Sequence, residues 1–182
     1  MPFTPIHLGA GLAFKALGVR HFSLIGFGLP QIAVDIEPLL GLIHGWAVLH
    51  GRSHSLLGAT AIAAVVAPLT RWLVPPLLHL GNRYLDAHDL ARWREAEDPD
   101  WLAAATGCLL GAWSHALMDA VMHPDLQLFW PWSPARPLYG ALSNSYLEIV
   151  CVAAAVFGAA VWFFRGLRSR RIWPATHARR RP

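Results

Sequence analysis

Residues 146–164 read YLEIVCVAAAVFGAAVWFF, and Arg165 follows at once. From Ile149 to Phe164 no side chain carries a charge. A helix rising about 1.5 Å per residue needs about 20 such residues to cross a hydrocarbon core of about 30 Å. The rest of the chain has the same character: of 182 residues, 55% are hydrophobic and 14% charged, with nine Trp and Lys15 as the single lysine. A soluble domain of this length needs far more polar surface. The fold class expected is therefore all-α, a polytopic membrane bundle of about five apolar segments.

Working back from residue 146, the other four segments follow. Trp101 to His123 is long enough to span. Ser55 to Leu69 spans up to Arg71, and Trp72 to Leu80 is expected to leave along the interface past Pro75-Pro76. Phe22 to about Ile43 holds Pro30, Asp35, Glu37 and Pro38, so a break near its far end is expected. Pro5 to Val19 is short and Gly-rich, suited to a tilted or re-entrant helix. The one hydrophilic stretch, Asn82 to Asp100, spaces Tyr84, Leu85, Leu90 and Trp93 as a surface helix would. Domain organisation is then one membrane-embedded unit over 1–164 with a loop at about 71–100, and a basic tail over 165–182. No cleavable signal peptide is expected, because Met1 to Thr4 carries no positive charge and no small-residue cleavage site follows. Cys108 and Cys151, in separate spans without CxxC spacing, read as small core residues.

The formal charge of +4 does not point to nucleic acid. Its arginines flank apolar spans, where they act as topology signals. Membrane lipids are the expected partners. Arg165, Arg168, Arg170, Arg171 and Arg179 to Arg181 place the C-terminus on the cytoplasmic side of an inner membrane. Alternation puts the Arg71-to-Asp100 loop and the Lys15/Arg20 turn on that side too. The same alternation gathers the ionisable residues at the outer level: His7, Asp35, Glu37, His50, His54, His115, Asp119, His123 and Glu148.

A charged side chain within the hydrocarbon costs about 2.5–3.5 kcal/mol, so four uncompensated carboxylates (Asp35, Glu37, Asp119, Glu148) cost on the order of 10 kcal/mol. No Lys or Arg lies within the spans at that level, whereas divalent cations would compensate and imidazoles are good zinc ligands. His50 and His54 are four residues apart, as are His115 and Asp119, so each pair can share a helix face. The candidate ligands are His7, Asp35, His50, His54, His115, Asp119, His123 and Glu148, enough for one or two zinc-like ions. Asp35 or Glu37, whichever is less committed to metal, is the candidate general base. His21, His44, His79, His88 and His177 are set aside, as is the Asp86/His88/Asp89 cluster on the cytoplasmic loop.

Four blocks of this sequence resemble the signature blocks of one family. They are Ile6-His7-Leu8-Gly9, Val34-Asp35-Ile36-Glu37-Pro38, His50-Gly51-Arg52-Ser53-His54-Ser55-Leu56-Leu57 and Ser114-His115-Ala116-Leu117-Met118-Asp119. The family is the YdjM-like group of inner-membrane metal-dependent hydrolases. Phe129-Trp130-Pro131-Trp132-Ser133 is similar to that family's Leu-Trp-Pro stretch, and Glu148 falls where it has a late glutamate. The resemblance implies metal binding and hydrolysis. More distantly, the His-x-x-x-Asp unit resembles zinc-dependent phospholipase C enzymes, which implies a phosphoester, possibly lipid-linked, as substrate. A metal or proton transporter and a non-catalytic scaffold with a structural metal are the alternatives. Ala59 to Leu69 and Val156 to Phe164 contain no acid or base, which weighs against transport.

Overall fold

The computed structural model describes residues 7–18, 21–91, 94, 97 and 100–169. Within them the chain forms six α-helices: α1 (Leu8–Ala16), α2 (Leu24–Val34), α3 (Ile36–His44), α4 (Leu56–Ala87), α5 (Trp101–Met122) and α6 (Asn144–Ser169). A 3-10 turn, Arg52–His54, precedes α4. Three apolar stretches are long enough to cross a membrane: Leu24–His44, taken across the α2–α3 junction, Leu56–Ala87 and Asn144–Arg165. The basic tail from Arg170, including His177, lies outside the described residues, as do Arg20 and Trp93.

Helix α5 is the centre. It packs on α2 and α4, α2 also packs on α4, and α1 and α6 form a pair at the side. The α2–α5 approach is set by Gly107 and Gly111, one helical turn apart. A Cβ at Gly111 would stand 2.1 Å from the Phe27 carbonyl oxygen, and one at Gly107 2.4 Å from that of Ser23. This small-xxx-small spacing lets two backbones touch in a bilayer, where apolar burial gives helices no reason to associate. Ala59, Ala63, Cys108, Ala112 and Ala116 continue the close packing between α4 and α5. Cys108 and Cys151 are both free and buried, as core residues. Outward faces carry exposed large apolar groups such as Leu42, Val65, Trp72, Ile149 and Phe164, a surface that lipid solvates.

Helix starts are capped by side chains. Ser23 accepts from the Gly26 N–H, Ser55 from that of Gly58, and Asp100 from that of Ala103, each filling a donor position the helix itself leaves open. The break expected in the second segment is at Asp35, between α2 and α3. Pro38 explains it: its missing N–H and its ring leave the Val34 carbonyl without a helical partner.

The third segment differs from expectation. Helix α4 does not end at Arg71; it runs through Pro68, Pro75 and Pro76 to Ala87, 32 residues in all. At 1.5 Å per residue that is about 48 Å, well beyond a hydrocarbon core of about 30 Å. Each proline removes one backbone bond, but the remaining ones and the packing on α5 keep the axis continuous. The surface helix expected over 82–100 is the end of this same helix, and beyond Ala87 the described residues form only turns.

Candidate metal centre

Three parts of the chain come together. Asp35 comes from the α2–α3 junction, His54 from the 3-10 turn, and His115 and Asp119 from one face of α5. Their ligand atoms all lie within 4.8 Å of one another. His115 Nε2 is 3.1 Å from Asp35 Oδ1 and 3.2 Å from Asp119 Oδ2. His54 Nε2 is 3.2 Å from Asp119 Oδ2 and 3.7 Å from Asp35 Oδ1. A tetrahedral ion with bonds of 2.0–2.2 Å has ligand–ligand edges of about 3.3–3.6 Å. The four nitrogen–oxygen separations, 3.1–3.7 Å, bracket that range, so the two nitrogens and two oxygens are close enough to share one ion.

The hydrogen bonds behind these atoms decide which nitrogen faces inward. The Ser53 hydroxyl reaches the orphaned Val34 carbonyl at 3.1 Å and the Glu37 carboxylate, so its one proton is committed outward. Its oxygen is 2.9 Å from His54 Nδ1, which must then be the N–H donor. That leaves the lone pair on His54 Nε2. This atom is fully buried and has no hydrogen-bond partner. An orphaned buried polar atom costs about 1–3 kcal/mol, and a cation among these four atoms supplies the missing partner. His115 is held similarly: its Nδ1 lies 3.2 Å from His7 Nδ1, which leaves Nε2 for the site. Imidazole ligands are regularly oriented through their second nitrogen in this way.

A second group lies beside the first: His50, His123 and Asp125. The His50 and His123 rings stack at 3.7 Å, 16° from parallel. His50 Nδ1 donates to Asp125 Oδ1 at 3.2 Å, and the Leu49 and His50 N–H groups donate to Asp125 Oδ2 at 2.9 and 3.0 Å. Burial works against the Asp125 carboxylate, but those backbone donors and His50 outweigh it and hold its pKa down to about 2. Burial holds His50 below its ordinary pKa, which keeps a lone pair available. Five imidazoles thus run in a row, with ring-centroid steps of 4.9 Å (His7–His115), 5.4 Å (His115–His54), 5.0 Å (His54–His50) and 3.7 Å (His50–His123).

Residues 21–177 match the model of one family, described as YdjM inner membrane protein. The chain belongs to the YdjM inner membrane protein family. No curated protein and no solved structure matches it. The donor set of this YdjM family member suits a borderline cation such as zinc, with two imidazole nitrogens and two carboxylate oxygens in a water-poor setting.

Of the residues singled out in the sequence, Asp35, His54, His115 and Asp119 form the four-atom cluster. His50 and His123 belong to the adjoining group, and His7 stands one step back, against His115. Glu37 is not in either group: its oxygens accept from the Arg52 and Ser53 N–H groups and the Ser53 hydroxyl. Through these bonds Glu37 holds the turn that carries His54. Glu148 belongs to neither group and lines a shallow apolar groove with Val152 and Phe157 on α6. His21, His44, His79 and His88 pair elsewhere, with Asp100, the Leu40 carbonyl, Glu97 and the Tyr84 carbonyl. Sequence reasoning missed Asp125. The signal was available: an acid two residues past His123, beyond Pro124, where the chain has just left α5.

Proposed function

We propose that this protein is a membrane-embedded, metal-dependent hydrolase of phosphoesters, with its site open to lipid-borne substrates. The observation that carries the reading is the four-atom set of His54, His115, Asp35 and Asp119 together with the fully buried His54 Nε2, which makes no hydrogen bond. Such a cation acts as a Lewis acid and brings the pKa of water towards about 7. The chain's own groups do the rest. Glu37, through Ser53, and His7 hold the two imidazoles in one tautomer. Asp35 is the exposed member, its side chain about a third accessible against 5% for Asp119, so it is the carboxylate able to accept a proton from water. Trp130 and Trp132, on the loop after α5, suit an interfacial rim.

A second reading has an observation of its own. Four protein atoms would fill a four-coordinate ion, and closed sites are generally structural. Asp35 separates the two. With purified protein, metal content and hydrolysis of a phosphodiester and phospholipid panel are measured for wild type and Asp35→Asn. Under the catalytic reading wild type turns over, and Asp35→Asn keeps most of its metal while losing activity by about a hundredfold or more. Wild type without turnover, and an Asp35→Asn variant that loses metal and stability together, would establish the structural role instead.

A further inference from the structure

Beside the second imidazole group lies a cavity of about 510 Å³. Its wall includes His50, Asp125, Glu37, Trp130 and two arginines, Arg52 and Arg136. This volume suits a small organic ligand or a lipid headgroup. The cavity's two carboxylates are already engaged: Glu37 by the Arg52 and Ser53 N–H groups, Asp125 by those of Leu49 and His50. The two guanidiniums are not. Neither Arg52 nor Arg136 forms an ion pair with an acid among the described residues, whereas Arg94 pairs with Asp86. Arg52 instead lies over the Trp130 ring, 5.0 Å from its centroid, a contact that aims the guanidinium without neutralising it.

We infer that this cavity is a phosphate-binding cradle, in which Arg52 and Arg136 hold the anionic group of a phosphoester beside His50. The guanidinium fork matches phosphate oxygens in pairs, and it binds them most strongly where no carboxylate competes. The positions fit the task. Arg52 lies between His50 and His54, so one five-residue stretch supplies both an anion donor and two imidazoles. Arg136 comes from the loop after α5, which is tied to the start of α4 by the Leu56 N–H bond to the Leu128 carbonyl at 2.9 Å. The two arginines therefore reach the cavity from segments already fixed to each other. This inference rests on the cavity being the approach to the cation centre, and it adds the group that a substrate must carry.

The test is calorimetric titration of detergent-purified full-length protein, with and without chelator, using inorganic phosphate in one arm and dihexanoyl phosphatidate in the other. The variants are Arg52→Gln, Arg136→Gln, the double variant, and the Lys pair, which keeps charge and checks that the fold survives. Wild type should bind at least one probe after chelation. The double Gln variant should bind about tenfold more weakly or less, with unchanged metal content, since one charge-assisted hydrogen bond carries at least that factor. Binding of inorganic phosphate assigns a soluble phosphoester; binding of phosphatidate alone assigns a lipid headgroup. Equal affinity in wild type and the double variant, binding that chelation alone abolishes, or no binding of either probe overturns the cradle. Phosphate binding by wild type that shows no turnover would count against the hydrolase and leave the cradle standing.

Discussion

His54 has one nitrogen answered by Ser53, and the other, deep in the protein, makes no hydrogen bond and faces the carboxylates of Asp119 and Asp35. A ligand of this kind is distinguished from a bystander by what removal of metal does to stability. An ion bound only by the folded state adds about 4 kcal/mol at a thousandfold excess over its dissociation constant. A chelator should therefore lower the melting temperature of the purified protein, and His115→Ala should abolish that response. His88→Ala should leave it intact, because His88 bonds the Tyr84 carbonyl at the far end of α4. Since ligand imidazoles must be neutral, the chelator-sensitive increment should be present at neutral pH and fade as acid protonates them. Asp119→Asn is the sharper substitution, nearly preserving shape while removing a negative charge 3.2 Å from both Nε2 atoms. Metal content in Asp119→Asn equal to wild type would make Asp119 a hydrogen-bond partner only.

Much of this site was legible residue by residue. His115 and Asp119 share a face by spacing alone, and Asp35 is marked by the proline three residues on. What hydropathy and spacing could not show is which carboxylates face inward. Glu37 and Asp125 do their work through backbone N–H groups of an irregular loop, and no periodicity describes a loop.

Among the elements, α2 and α5 are held at backbone contact by Gly107 and Gly111. The prediction at this scale is that Gly111→Leu forces them apart, since a Cβ there would meet the Phe27 carbonyl at 2.1 Å. Overpacking of this kind costs about 1–3 kcal/mol. Because α2 leads to Asp35 and α5 carries His115, metal stoichiometry should fall with the melting temperature. Gly81→Ala, on a part of α4 with nothing within 4 Å, is the matched control and should change neither. A Gly111→Leu protein with full metal content would show that the contact does not set the site. The glycine pair stands openly in the sequence, so this packing was readable. The length of α4 was not: Pro75-Pro76 stops most helices in water, but a helix held along α5 tolerates the lost bonds.

For the whole molecule, the Arg distribution predicts a cytoplasmic C-terminus and an outer loop between His123 and Ser145. Reporter fusions after Pro182 and within 131–136 should give opposite compartment signals. Matching signals, or a periplasmic one at Pro182, would reverse the orientation and move the cation centre to the inner face. The convergence itself does not depend on which face it is: the centre uses the start of α4, the end of α2 and the latter part of α5, as alternating helices require. That arrangement has a consequence for biosynthesis. Asp35 and His115 are 80 positions apart. A ribosome that has released only α1 to α4 has delivered Asp35 and His54, half of the candidate ligands, and the other half arrives together on a single helix. Full-strength ion capture would thus be withheld until α5 has been inserted and docked, so a loaded ion would be a chemical record that assembly has passed α5.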